Sequence, residues 1–148
     1  MIIAMYFLMS AVIIIADQLS KWWALTNVLE HWDITSFLSF EVMLNKGISW
    51  SMFDGEYTPW FVYCAIAAMI VFLLVHIITQ NKIGITTYAE VAVLAGAISN
   101  TVDRILYGGV VDFITFHYHN WYFPSFNIAD IAITLGVMFM IIQLIQER

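Results

Sequence analysis

The amino-acid sequence predicts an all-α membrane protein, a bundle of four transmembrane helices. Three observations carry this. Hydrophobic residues make up 62% of the 148 and charged residues only 11%, against roughly half and about a quarter in soluble domains. Mean hydropathy is +0.86. Four apolar stretches, at about residues 2–24, 60–79, 87–105 and 128–145, approach the roughly 20 helical residues that cross a hydrocarbon core. A single domain is expected, residues 1–148, with connections at about 25–57 and 106–127.

The first stretch is apolar from Ile2 to Ala16, but no Lys or Arg precedes it and no small-x-small site follows. Its pattern continues through Asp17, Lys21 and Trp22, so it is expected to be a retained anchor and not a cleaved leader. The first long connection holds an alternating run from Phe37 to Asn45. Leu38, Phe40, Val42 and Leu44 fall on one face and Ser39, Glu41 and Asn45 on the other, the period of a half-buried strand. Pro59 suits the first turn of the second helix, where its missing N–H costs nothing. The short Gln80–Gly84 turn makes the second and third helices antiparallel neighbours and puts both termini on one side. Both long connections then share the opposite side. Trp22, Trp23, Trp32, Trp50, Trp60 and Trp121 gather there or at helix ends, as in an interfacial cap.

Charge excludes some functions. With five Lys and Arg residues in all and no basic run, nucleic-acid binding has no electrostatic footing. Cys64 is the single cysteine, which excludes an internal disulfide and a cysteine-rich metal site. In an apolar stretch it is expected to be a small buried side chain. Lys82 and Arg148 lie on the termini side and Lys46 on the loop side, so the positive-inside rule does not orient the chain.

Ionisable groups in spanning helices are costly and mark function. Asp17 and Lys21 close the first helix, Asn100, Asp103 and Arg104 close the third, and Asn127 and Asp130 open the fourth. Alternate helices run in opposite directions, so all these ends reach one membrane face, where Asn45 and Asp112 also lie. Each has a structural reading. Asp17 and Lys21, spaced i,i+4, can be an ion pair. Asp103 and Arg104 can be an interfacial anchor. Asn127 is placed to cap the fourth helix, with Asp130 in its first turn. Asp112 interrupts the apolar run Val110-Val111-Asp112-Phe113-Ile114, where a carboxylate gains nothing from packing. Two carboxylates in a poorly hydrated site do not both ionise easily, which supplies a base and an acid together.

The segments Asp17-Gln-Leu-Ser-Lys21, Asn45-Lys-Gly47, Asn100-Thr-Val-Asp103-Arg104, Val110-Val-Asp112-Phe-Ile114 and Phe123-Pro-Ser-Phe-Asn127-Ile-Ala-Asp130 resemble, in order, the motif set of bacterial lipoprotein signal peptidase, or signal peptidase II. The resemblance covers essentially the whole chain. It implies four transmembrane helices, both termini in the cytoplasm, and a small periplasmic β-sheet cradle in the bacterial inner membrane. It implies an aspartic endopeptidase with Asp112 and Asp130 as the catalytic dyad and no cofactor or metal. Asp17, Lys21, Asn45, Gly47, Asn100, Asp103, Arg104 and Asn127 match the family's supporting positions. The implied substrates are prolipoproteins carrying diacylglyceryl on the lipobox cysteine, cut on its amino side and entering from membrane lipid. A monomer is expected, and inhibition by peptide antibiotics of the globomycin type. Ser99, where glycine often precedes the asparagine, and Ile48-Ser49-Trp50 depart from the commoner pattern. The helix dipole marks Asp130 as the candidate ionised member. The 25–57 loop, with Gly47 and Gly55, is expected to act as a lid.

Other chemistry uses the same residues. A proton-conducting or transport protein also pairs intramembrane carboxylates with Arg and Lys, but spreads them across the membrane depth. A metallopeptidase would draw on His31, His117 and His119, the last two sharing a face if extended, though no H-E-x-x-H pattern is present. Ser49 with Lys46, or Ser20 with Lys21, are candidate Ser-Lys pairs without a supporting motif.

Overall fold

The computed structural model describes residues 1–46 and 60–146. Gly47, Ile48, Ser49, Trp50, Gly55 and Pro59, and with them the last third of the expected lid, lie outside the described residues. The elements in chain order are α1 (Ile2–Asn27), β1 (Trp32–Thr35), β2 (Leu38–Asn45), α2 (Trp60–Lys82), α3 (Tyr88–Tyr107), β3 (Val110–Tyr118), β4 (Trp121–Tyr122) and α4 (Ile128–Gln146). The molecule is thus mostly helical and not purely so. Its strands form one antiparallel sheet in the order β1-β2-β3-β4.

Helices α1, α2 and α4 are long and apolar enough to cross a membrane. The expected four spans reduce to three on this criterion, because Glu90, Asp103 and Arg104 interrupt α3. The reason is position. α3 packs against all three other helices and buries twelve of its 20 residues, whereas α4 buries only Ala129 and Gly136. A helix sheathed by protein can carry polar groups that a lipid-facing helix cannot. α1 shows the converse. Its buried residues are Tyr6, Asp17, Lys21 and Ala24, and Val28 follows just beyond it. From Asp17 onward the steps are four, three and four residues, a single stripe down one helix face. The remaining faces are apolar and exposed, and Cys64 is exposed on α2 instead of buried.

Tyr6 fixes the relative direction of α1 and α3. Its hydroxyl accepts a hydrogen bond from the Thr87 N–H at 2.8 Å, tying the start of α1 to the start of α3. At the other end Gln18 reaches Ser99 and Asp103, so the two helices run parallel. α3 and α4 approach closely at Gly96, where a Cβ would lie 2.6 Å from the Ala129 carbonyl oxygen and 2.7 Å from Ile133 Cγ1. Gly96→Ala is expected to lower stability by about 1–3 kcal/mol through overpacking, measured as thermal unfolding in detergent. An unchanged midpoint would show that the helices separate freely there.

In β2 the alternation predicted from the sequence breaks. Phe40 pairs with Ile114 and Met43 with Asp112, so Glu41 and Val42 stand opposite Phe113 alone. Such a bulge inverts the phase of everything beyond it. Asn45, placed by strict alternation with Ser39 and Glu41, instead pairs across from Val110 on the face that carries Asp112.

Candidate active site

The C-terminal half of α1, the end of α3, the start of α4 and β3 meet at one end of the bundle. Lys21 sits at the centre, 1% exposed. Its ammonium contacts Asp17 Oδ2 at 2.6 Å and Asp103 Oδ2 at 2.7 Å and donates to Asn100 Oδ1 at 2.8 Å. An ammonium has three donors, and here each has an acceptor. Asp17 and Lys21 are therefore more than an i,i+4 pair, and Asp103, fully buried, is no interfacial anchor. Asp17 Oδ1 accepts from the Ala129 N–H at 2.8 Å. Asp103 Oδ2 accepts from the Val111 N–H at 3.1 Å.

Because Lys21 can only donate, it takes the oxygen of Asn100 and turns the amide nitrogen outward. That nitrogen donates to Asp130 Oδ1 at 2.8 Å. Asn127 serves both dyad candidates. Its Oδ1 accepts the Asp130 N–H at 2.9 Å and its own N–H lies 3.3 Å from Asp130 Oδ2, the reciprocal geometry of a capping box. With the carbonyl so committed, Asn127 Nδ2 donates to Asp112 Oδ1 at 2.7 Å. Asn45 Nδ2 donates to Asp112 Oδ2 at 3.0 Å, which the β2 bulge makes possible. Each carboxylate oxygen of the pair thus faces an amide donor. Burial is the main cause that pushes the Asp112 carboxyl up to about 7, with the neighbouring Asp130 charge adding to it. Hydrogen bonds from Asn45 and Asn127 and the Lys21 charge act against this rise. The Arg104 side chain donates to its own helix at Asn100 O, 3.4 Å away. Its positive charge interacts with both carboxylates, Asp112 more than Asp130.

All the supporting residues named from the sequence gather here except Gly47, which lies outside the described residues. Two residues that the sequence did not mark as site residues join them. Gln18 Nε2 donates to Asp103 Oδ1 at 2.8 Å, and Ser99 Oγ donates to Asp17 Oδ2 at 2.7 Å. The available signal was helical spacing, since Ser99 lies four residues before Asp103 on α3.

The alternative chemistries find less support. His119 has φ 52 and lies beyond the end of β3, so it does not share an extended face with His117. His31 contacts Asp33 at 2.9 Å and Glu41 at 3.4 Å, and these carboxylates raise its pKa, Asp33 foremost. Among the described residues no group of three or more His, Cys, Asp or Glu is arranged to hold a metal ion. Ser20 donates to the Asp17 carbonyl at 2.8 Å, while Lys21 is committed to two carboxylates. Polar groups do not gather only at this end, however. Glu90 is buried in the first turn of α3, with His76 Nε2 3.5 Å away.

A family model described as signal peptidase (SPase) II matches residues 9–146. The lipoprotein signal peptidase of Dichelobacter nodosus is 33% identical over 146 residues, covering 97% of this chain and 95% of that protein. The lipoprotein signal peptidase of Rickettsia akari is 38% identical over 138 residues, covering 87% and 68%. A solved structure described as a bacterial membrane enzyme, determined by the in meso method at 2.3 Å resolution, matches with a TM-score of 0.85 and 29% identity, over 98% of this chain and 90% of that one. A second, described likewise at 1.9 Å resolution, matches with a TM-score of 0.72 and 27% identity, over 99% and 96%.

Proposed function

The chain belongs to the signal peptidase II family, and from that premise we propose that it removes signal peptides from diacylglyceryl-modified prolipoproteins as an aspartic endopeptidase. Cleavage falls on the amino side of the lipidated cysteine. Asp112 and Asp130 are the dyad. The observation that carries this reading is Asn127, which contacts both carboxylates through one amide group and one backbone N–H.

Asp130, at the start of α4, takes a proton from water, whose oxygen attacks the scissile carbonyl carbon and forms a tetrahedral intermediate. Asp112 donates its proton to the departing nitrogen as the C–N bond breaks. Asp112, poised near 7, is matched to an acid that works near neutrality, and the helix N-terminus favours the Asp130 anion. Asn45, Asn100 and Asn127 orient the carboxyls. Lys21, Asp17 and Asp103 hold those amides and the flanking backbone, and Arg104 supplies positive charge. Gly47 is assigned with them on family position. No cofactor takes part.

In the inner membrane, α3 completes a four-helix bundle with α1, α2 and α4. Both termini lie in the cytoplasm and the sheet lies on the periplasmic side with the site. The chain acts as a monomer, takes substrate sideways from the lipid and is inhibited by cyclic peptides of the globomycin type. The test is cleavage of a prolipoprotein peptide by detergent-purified protein, with and without diacylglyceryl on its cysteine. Turnover of the lipidated peptide alone is expected, unaffected by strong chelators. Equal cutting of both peptides would refute the substrate assignment.

The pH profile checks the proton assignment. The Asp112 pKa is raised in the folded protein, so its acid form is lost as pH rises through about 7. kcat/KM is expected to fall above that pH. Asn45→Ala removes a hydrogen bond that lowers this pKa, so the descending limb is expected to move to higher pH. A limb that stays in place, or moves down, would remove Asp112 as the proton donor.

A further inference from the structure

Two carboxylates outside the dyad hold the backbone immediately before each dyad member. Asp17 binds the N–H of Ala129, which precedes Asp130, and Asp103 binds the N–H of Val111, which precedes Asp112. The spacing of Asp17 and Asp103 therefore sets the spacing of Asp130 and Asp112. Lys21 ties the two anchors once. A second tie runs beside it through neutral groups. Ser99 Oγ donates to Asp17 Oδ2 at 2.7 Å and accepts from Gln18 Nε2 at 3.1 Å, and Gln18 Nε2 reaches Asp103 Oδ1 at 2.8 Å.

We propose that Gln18 and Ser99 are positioning residues, whose Asp17–Ser99–Gln18–Asp103 bridge holds the two catalytic carboxylates at their working separation. This rests on the dyad reading above. A helical serine ordinarily bonds back to the carbonyl four residues earlier or points to solvent. Ser99, fully buried, instead spends its hydroxyl across the helix interface on α1. Lys21 does not do this work alone, because an ammonium is a compact point charge that fixes distance better than orientation. At Asp17 the bridge shares Oδ2 with Lys21, but at Asp103 it engages what Lys21 leaves open. Asp103 Oδ1 faces Gln18, while Asp103 Oδ2 faces Lys21 and Val111. With both oxygens held, Asp103 does not rotate about its own axis, and Val111 stays in place.

The bridge is a chain in series, so breaking either link breaks the whole. Gln18→Leu and Ser99→Ala are each expected to lower kcat by about tenfold, the loss of one net hydrogen bond, with KM within about twofold of wild type. The double variant is expected to lose about the same tenfold and not the roughly hundredfold of independent sites. Ser99→Thr, which keeps the hydroxyl, is expected to recover kcat relative to Ser99→Ala. Unchanged kcat in the single variants, losses that multiply, or losses confined to KM would each overturn the bridge. Should Ser99→Ala not fold, Gln18→Leu, at a half-buried position, reads out the same link. Asp112→Asn and Asp130→Asn separate this inference from the one beneath it. If those two variants are inactive while the Gln18 and Ser99 variants turn over normally, only the bridge fails. If the two aspartate variants remain active, the dyad itself fails.

Discussion

Asp112→Asn and Asp130→Asn are each expected to lower kcat for the lipid-modified peptide by about 10³–10⁴-fold, while KM stays close to wild type. General acid–base groups contribute about 10²–10⁴-fold each, and a dyad shares one proton between its members, so losing either member removes both roles. Asparagine keeps the size and an oxygen that can accept from Asn127 or Asn100. The fold should therefore survive substitution at either position, and unfolding midpoints measured beside kcat will separate chemistry from collapse. Wild-type turnover in either variant would end the aspartic assignment. Loss of activity matched by loss of the folded state would leave only a structural role for that residue.

The second large effect is at Lys21. Lys21→Met keeps the length of the side chain but leaves Asp17 and Asp103 buried together without their shared cation. Removing one partner of a buried ionic group costs about 3–5 kcal/mol, and here two carboxylates are stranded. Unfolding in detergent should begin well below the wild-type midpoint. Adding Asp103→Asn, which removes one stranded charge, is expected to restore part of that loss. Lys21→Arg should not substitute, because a planar guanidinium does not match three acceptors arranged around one ammonium. If Lys21→Met is as stable as wild type, the contacts of Lys21 with Asp17 and Asp103 do not hold the folded protein together.

Much of this site is legible without coordinates. Asp17 and Lys21 are i,i+4 on α1, Asn100 to Arg104 close α3, and Asn127 with Asp130 reads as a helix start. The structure adds the capping box between these last two residues. Asn45 was legible as a loop residue on that membrane face and as a family position, but not as a neighbour of Asp112. Its strand alternation pointed it away from Asp112, and the bulge at Glu41–Val42 turns it back. The bulge leaves no periodic signal, because Phe37 to Asn45 reads as unbroken alternation and Met43 and Leu44 are both apolar, so a change of phase between Phe40 and Met43 does not show. Ser99 had only its helical spacing from Asp103 as a signal and Gln18 had none, since their bonded partners lie 81 to 85 residues away.

The sequence by itself therefore determined the apolar helices, their alternating directions, and hence the gathering of these polar residues at one end of the bundle. Those follow from local composition and from the length needed to cross a bilayer. Only the tertiary structure decided that α3 sits inside the other three helices, that Lys21 is shared by Asp17 and Asp103, and that Asn127 joins Asp112 to Asp130. Each of these depends on which side chain meets which across an interface. Periodicity says which face of a helix is buried, but not what lies opposite it.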